Sequence, residues 1–145
     1  MATMRPVPLP SPSYTSAAGP SPRLTLPASA ESVGAARQHA CAFVEFYVCD
    51  LTDERKSDVL LVVSELVTNA VRYGTEPGDS IELCLEFGPR QIRIEVHDPV
   101  RRRPRARPAS AERTRGRGML IVDALATWGT SDRPMGKVVW AVVEW

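Results

Sequence analysis

The sequence has few cysteines and no paired-cysteine motif. Its three cysteines, Cys41, Cys49 and Cys84, form no C-x-x-C pair. An odd number of cysteines at these spacings indicates neither a disulfide framework nor a structural zinc site. We therefore expect a protein that works in a reducing compartment, the cytoplasm.

Long hydrophobic runs are also absent. No stretch approaches the roughly 18 to 20 apolar residues that would span a bilayer, and the N-terminus lacks the continuous apolar segment of a signal peptide. We therefore expect a protein that neither inserts into a membrane nor is exported by a signal peptide.

Charge of one sign is not in excess, since the formal net charge is +1. This balance argues against binding nucleic acid through the overall field of the protein. With 145 residues and 43% hydrophobic content, the chain has room for one domain with a core of ordinary size. Residues 1–22 are dominated by Pro, Ser and Ala, so we expect a disordered tail before a single domain over residues 23–145.

The first part of this domain is predicted to hold a short strand and a helix. Residues 23–26 alternate between polar and apolar side chains, which is typical of a strand. An apolar stretch from Val33 to Val48 predicts a helix, for which Ser29 or Ser32 is the candidate N-terminal cap.

A second helix carries two polar residues that need an explanation. It is predicted to begin at Thr52, whose hydroxyl can accept from a free backbone amide, and to end before Gly74. Its apolar residues recur at helical spacing: Val59, Val63, Leu66, Val67 and Ala70. Glu65 and Asn69 are four residues apart, so they project side by side away from the main apolar arc. They either face solvent or line a pocket.

The second half predicts a hairpin, a long loop, a helix and a last strand. Residues 80–87 and 91–98 alternate with period two and are separated by the three residues GPR. Residues 99–115 show no periodicity and read as a loop. Helical spacing follows over 116–129, and a strand over 137–145. This order predicts an α/β two-layer sandwich (α+β), with a mixed, mostly antiparallel sheet and its helices on one face.

Two further positions are candidates for ligand contact. Asp98 ends the second hairpin strand, and the following proline stops that strand. A carboxylate at a strand end can accept from an exocyclic amine, although it can equally be an ordinary turn residue. Gly116 and Gly118 flank Arg117 at a helix start, where free backbone amides favour a phosphate.

The order of these motifs resembles that of a known superfamily. E-L-V-T-N at 65–69, then a hairpin strand ending in H-D-P, a long loop and G-R-G-M-L-I-V are similar to the GHKL ATPases. Within them the chain resembles the small bacterial anti-sigma-factor serine kinases, as found in many actinobacterial paralogues. The resemblance covers roughly residues 23–145 and implies the Bergerat-type ATP-binding fold.

The resemblance implies a site for ATP and Mg²⁺ and gives each motif residue a role. Asn69 would bind the metal through its amide oxygen, and Glu65 would accept the proton of the attacking hydroxyl. Asp98 would recognise the adenine amine. Gly116 and Gly118 would let the backbone approach the phosphates.

The loop at 99–115 would then act as the lid. Eight arginines and one acidic residue lie between Arg101 and Arg117, and Arg115 and Arg117 are the candidates for phosphate contact. A solvated, self-repelling loop and an arm that binds nucleic acid are the alternatives. Interleaved aromatics for base stacking are lacking, which argues against direct nucleic-acid binding.

The sequence departs from the family pattern at two places. Glycines often follow the strand-end aspartate in this superfamily, whereas here the next residues are PVRRR. A hydroxyl residue of the last strand, which helps to hold adenine through water, is replaced by Val138.

His97, in the strand before Asp98, is predicted to be a packing or surface residue.

The resemblance also implies partners. They would be a sigma factor, a STAS-type anti-anti-sigma protein that carries the acceptor serine, and a second copy of the chain in a homodimer. The alternative is a non-catalytic regulator that senses ATP or ADP, or that acts only by protein contact through a degenerate site.

Overall fold

The structure is a computed structural model that describes residues 19–99 and 119–145. Its elements are, in chain order, β1 (Arg23–Pro27), α1 (Glu31–Tyr47), α2 (Asp53–Tyr73), β2 (Ser80–Gly88), β3 (Gln91–Asp98), β4 (Thr127–Arg133) and β5 (Gly136–Glu144). Residues 119–125 are also helical and are called α3. Most of the predicted tail and most of the predicted lid lie outside the described residues.

The strands form one sheet in the order β1-β2-β3-β5-β4. Each of the four pairings is antiparallel. The last strand therefore lies inside the sheet, between β3 and β4. This arrangement, with helices over one face, confirms the predicted α+β sandwich.

The core lies between the helices and one face of the sheet. Alternation along the strands turns every second side chain toward the helices, and these side chains are fully buried: Ile81, Leu83, Leu85, Ile92, Ile94, Val96, Ala141 and Val143. On α1, the small residues Ala36 and Ala40 are fully buried, which suits the close contact between α1 and α2. Each large buried side chain contributes roughly 1.5–3 kcal/mol, so this layer fixes the orientation of α2 on the sheet.

The long helix α2 forms much as its sequence predicts. The Thr52 hydroxyl accepts a hydrogen bond from the Arg55 amide at 3.2 Å, and Asp53 and Glu54 occupy the first turn. These acids are favourable beside the positive end of the helix dipole. Gly74 follows the helix as predicted, and its amide donates to the Ala70 carbonyl at 2.9 Å.

Three details of the predicted elements were wrong. The α1 helix begins at Glu31, and its cap residue is Ala30, which makes no side-chain cap bond. The Ser32 hydroxyl does not cap the helix and donates to the Pro27 carbonyl instead. Gly88 pairs with Gln91, so the hairpin loop has two residues and not three. The helix predicted to reach residue 129 stops at residue 125, and a strand follows it.

Residues 20–22 contact the domain although they were placed in the tail. The Tyr47 hydroxyl donates to the Pro20 carbonyl at 3.1 Å, and the Leu85 amide donates to the Pro22 carbonyl at 2.8 Å. His39 Nε2 lies 2.7 Å from the Ser21 carbonyl oxygen.

Among the described helices, none combines the length and the apolar character that crossing a membrane requires.

Candidate functional site

A cavity of about 200 Å³ lies where α2, α3 and the ends of three strands meet. Asn69 from α2 and Asp98 from β3 both line it, although 29 positions separate them in the chain. The other described lining residues are Ala70, Met119, Trp128, Thr130, Lys137 and Val139. Two of the predicted site residues therefore share one cavity.

Asp98 is the buried charge of this cavity. Its residue exposure is 5%, and the Lys137 Nζ lies 3.7 Å from its Oδ2. These two residues are register partners on β3 and β5, so the sheet itself places the ammonium beside the carboxylate. A buried carboxylate requires such partners, because burying it alone costs several kcal/mol or shifts its pKa.

Two glycines allow the backbone to close around Asp98. A Cβ atom on Gly74 would lie 2.5 Å from Asp98 Oδ2, and one on Gly136 would overlap the Asp98 carbonyl oxygen. Gly74 has φ −108°, a conformation open to any residue, so it is the space beside Asp98 that excludes a side chain. Gly74 leaves room for the carboxylate and Gly136 leaves room for the Asp98 backbone carbonyl. The sequence analysis assigned neither of them to the site. Because Gly74 also follows a helix end, it reads in sequence as an ordinary cap.

Asn69 meets α3 across the cavity. Its amide nitrogen donates to the thioether sulfur of Met119 at 2.9 Å. With nitrogen bound to sulfur, the amide oxygen is the atom suited to a hard cation. This contact links α2 to α3, the helix that follows the predicted phosphate-binding residues in the sequence.

The profile of the family described as histidine kinase-like ATPase domain matches residues 26–143. The chain belongs to this family. The match confirms the predicted superfamily and, with it, an ATP-binding role of the kinase-like ATPase type. No curated protein matched the chain at a significant level.

The cavity is smaller than most small-molecule sites. Sites for drug-sized ligands usually enclose roughly 300–1,000 Å³, whereas this cavity encloses about 200 Å³. The predicted phosphate contacts, Arg115, Gly116, Arg117 and Gly118, lie outside the described residues.

Glu65 lies one turn before Asn69 on the same helix of the ATPase domain. It is half-buried and is not among the residues that line the cavity. Glu65 therefore lies beside the cavity and outside its lining.

The last strands of the ATPase domain place a different set of residues at the cavity than the sequence analysis expected. Val138 faces away from the cavity, whereas its neighbours Lys137 and Val139 line it. Thr130, on the neighbouring strand β4, pairs with Val139 and places a hydroxyl residue among those that line the cavity. The sequence analysis missed Thr130 because it read the preceding residues as the end of a helix.

Proposed function

We propose that this protein is an ATP-dependent protein serine kinase that also binds a sigma factor in the cytoplasm. The observation that carries the proposal is that Asn69 and Asp98 line one cavity of about 200 Å³. In the ATP site that we propose, the base would occupy this cavity and the phosphates would extend past Asn69.

Adenine recognition would depend on Asp98. Its buried carboxylate is an acceptor matched to the exocyclic amine of adenine, and a hydrogen bond to a charged group is worth roughly 1.5–3 kcal/mol. The apolar cavity walls, Ala70, Met119 and Val139, suit the faces of a purine ring.

The donor set around Asn69 fits a magnesium ion that is bound mainly by phosphates. Mg²⁺ usually takes one or two protein oxygens and otherwise phosphate oxygens and water, and the Asn69 amide oxygen is one such ligand. When bound, the ion would neutralise charge on the phosphates. Arg115, Gly116, Arg117 and Gly118 would contact those phosphates from the segment before α3.

Glu65 would accept the proton of the acceptor serine on one of its carboxylate oxygens. The acceptor protein would be a small antagonist of the STAS type. A sigma factor and a second copy of the chain are the other partners that the resemblance implies. Because the domain is short, these contacts would use its outer surface.

A phosphotransfer assay tests the kinase proposal. Wild type, Glu65→Gln and the control Glu76→Gln, an exposed acid after α2, are incubated with labelled ATP, Mg²⁺ and candidate STAS proteins. We expect transfer by wild type and by the control, and a loss of about 10²–10⁴-fold in Glu65→Gln, the usual contribution of general base catalysis. Equal transfer by all three proteins would contradict the role given to Glu65.

A second candidate function is a regulator that binds nucleotide without transferring phosphate. Two departures from the family pattern favour it, because PVRRR follows Asp98 where glycines are frequent and Val138 stands where a hydroxyl residue is frequent. Calorimetry with Mg-ATP and Mg-ADP separates the two functions when combined with the assay above. Binding without transfer indicates the sensor, and no heat at high nucleotide concentration leaves only a protein-contact role.

A further inference from the structure

The face of the sheet that points away from the helices carries a cluster of three metal-binding side chains. Glu82 and Cys84 alternate with the core residues of β2, and His97 does the same on β3. Glu82 and His97 are register partners. One ligand atom from each of the three residues lies within 4.8 Å of the others.

We propose that Glu82, Cys84 and His97 bind a zinc ion on this face. Thiolate, imidazole and carboxylate are the usual ligands of Zn²⁺, and the sulfur discriminates against Mg²⁺ and Ca²⁺. Zinc bond lengths place tetrahedral ligand atoms roughly 3.4–3.8 Å apart, so side-chain movements of about 1 Å would close the site. Glu82 retains 37% side-chain exposure and has freedom for such a movement.

A second layer of side chains already orients the histidine. His97 Nε2 lies 3.0 Å from Glu95 Oε1, and the Arg93 Nε donates to Glu95 Oε2 at 2.8 Å. The Glu95 carboxylate thus holds one ring nitrogen and leaves the other for a cation. Carboxylate–histidine pairs of this kind accompany most zinc-bound histidines. The pKa of Glu95 is lowered to about 2, chiefly by the hydrogen bond with His97 and also by Arg93.

Without a metal, the thiol of Cys84 donates a hydrogen bond to Glu82 Oε1 at 3.3 Å. A divalent cation takes the place of this proton, because a coordinating thiol loses its proton. Binding therefore exchanges the thiol proton for a sulfur–zinc bond and releases that proton to the buffer.

A cation can reach the cluster from solvent. A shallow groove of about 300 Å³ includes Glu82 and His97 together with Arg133 and Met135 from the β4–β5 turn. The nearby Arg23 Nη1 lies 3.9 Å from Glu82 Oε1, and its side chain is 74% exposed. This arginine can therefore move into solvent when a cation takes its place. Three protein ligands leave a fourth position open for water.

The zinc proposal is independent of the nucleotide site. His97 and Asp98 are consecutive residues and project to opposite faces of β3. A hard cation at Asn69 and a soft cation at Cys84 would therefore lie on different sides of the sheet. The Asn69→Ala variant is expected to leave zinc binding unchanged.

Titration of the metal-free chain with Co²⁺ and then Zn²⁺ tests the proposal. We expect Co²⁺ to produce the thiolate-to-cobalt charge-transfer band, and Zn²⁺ to remove it by displacement. Cys84→Ser and His97→Gln should each weaken Zn²⁺ binding by at least about 100-fold, above the roughly 10–100-fold expected for the positioning variant Glu95→Gln. Calorimetry in buffers of different ionisation enthalpy should show release of about one proton.

The chain allows a complete set of controls. It contains three cysteines and two histidines, so Cys41→Ser, Cys49→Ser and His39→Gln remove every other soft ligand of these types. All three controls should bind Zn²⁺ as wild type does. Unchanged affinity in Cys84→Ser, or its loss in Cys49→Ser, would overturn the proposal.

Folding of the variants is measured separately by thermal denaturation without metal. If Cys84→Ser does not fold, His97→Gln carries the test, because an imidazole at the surface of the sheet can be replaced without emptying the core. Zn²⁺ should raise the melting temperature of wild type by mass action and leave that of His97→Gln unchanged. A wild-type melting temperature that does not respond to Zn²⁺ would contradict the site.

Discussion

The two faces of β3 treat neighbouring residues in opposite ways. Asp98 projects toward the helices into a cavity with largely apolar walls, where Gly74 leaves room for its carboxylate and the Lys137 ammonium lies 3.7 Å from it. His97 projects to the other face, where its Nε2 lies 3.0 Å from Glu95 Oε1 and Arg93 donates to the other oxygen of the same carboxylate. The cavity places one buried carboxylate beside one ammonium among largely apolar walls, and the other face gathers several charged side chains in contact with one another.

This difference determines which ligand each face suits. A buried acceptor in a cavity with largely apolar walls is suited to the edge of a heterocyclic base, which supplies a matching donor. A cluster of thiol, imidazole and carboxylate is suited to a cation, which replaces protons and interrupts repulsion between acids. The alternation of one strand is sufficient to keep the two chemistries apart.

The largest expected effect concerns the reactivity of the Cys84 thiol, on the face of the sheet that points away from the helices. Only the thiolate is alkylated, and the pKa of Cys84 is raised to about 12 by burial and by Glu82. We expect Cys84 to react with iodoacetamide at least about 100-fold more slowly than the exposed Cys49. Mass spectrometry of metal-free protein, with the unfolded chain as control, measures both rates. Similar rates in the folded protein would show that the cluster does not shield the thiol.

The next largest effect concerns nucleotide affinity on the helix face. Asp98→Asn removes the charge that would bind the adenine amine, so we expect Mg-ATP affinity to fall by about 10–100-fold, from the roughly 1.5–3 kcal/mol of a charged hydrogen bond. The matched control is Asp132→Asn, an exposed strand residue that pairs with Lys137 from the other side. Calorimetry of both variants decides the point. A loss of Mg-ATP affinity in Asp132→Asn but not in Asp98→Asn would contradict the role given to Asp98.

A smaller effect is expected from the glycine beside Asp98. Gly74→Ala places a Cβ atom 2.5 Å from Asp98 Oδ2, which must displace the carboxylate, and we expect about a tenfold loss of nucleotide affinity, or roughly 1.4 kcal/mol. Gly34→Ala is the control, because a Cβ there meets nothing within 4 Å. The control should stabilise α1 by about 0.5–1 kcal/mol without changing affinity. Unchanged nucleotide binding in Gly74→Ala would separate this glycine from the site.

The smallest effect is a pH dependence of the free energy of unfolding, caused by Glu95 on the face of the sheet that points away from the helices. The pKa of Glu95 is lowered from 4.5 to about 2 by His97 and Arg93, so the folded state favours the carboxylate. This contribution is complete above pH 4.5 and is lost as the pH falls toward 2. Since the side chain is partly exposed, we expect about 1 kcal/mol. Urea denaturation of wild type, Glu95→Gln and Glu76→Gln measures it, and an acid-induced loss that is equal in all three would contradict it.

Elements with a clear period were predictable from sequence, and elements without one were not. The hairpin and α2 follow from alternation and from the Thr52 cap. The sequence allowed one or two strands after the last helix, but the position of β4 was not predicted. Most of its residues are exposed, so no alternation between buried and exposed positions marks it. Ser29 and Ser32 resembled cap residues, yet the Ser32 hydroxyl is used by the Pro27 carbonyl.

The candidate site was predictable only where a motif marks a residue. Asn69 and Asp98 were named from sequence, and their shared cavity agrees with the roles proposed for them. Gly74, Thr130 and Lys137 were missed, because their importance comes from contacts across the sheet that no local pattern encodes. The same holds for the cluster at Cys84, whose ligands come from two strands without a metal-binding spacing.

The most direct test of the nucleotide site is a crystal structure of the full chain with ADP and Mn²⁺, in which anomalous scattering locates the metal. The account predicts adenine in the cavity with its amine within hydrogen-bond distance of the Asp98 carboxylate, and Mn²⁺ bound by the Asn69 amide oxygen. Nucleotide bound elsewhere, or a metal coordinated away from Asn69 while the Asp98 cavity stays empty, would contradict it.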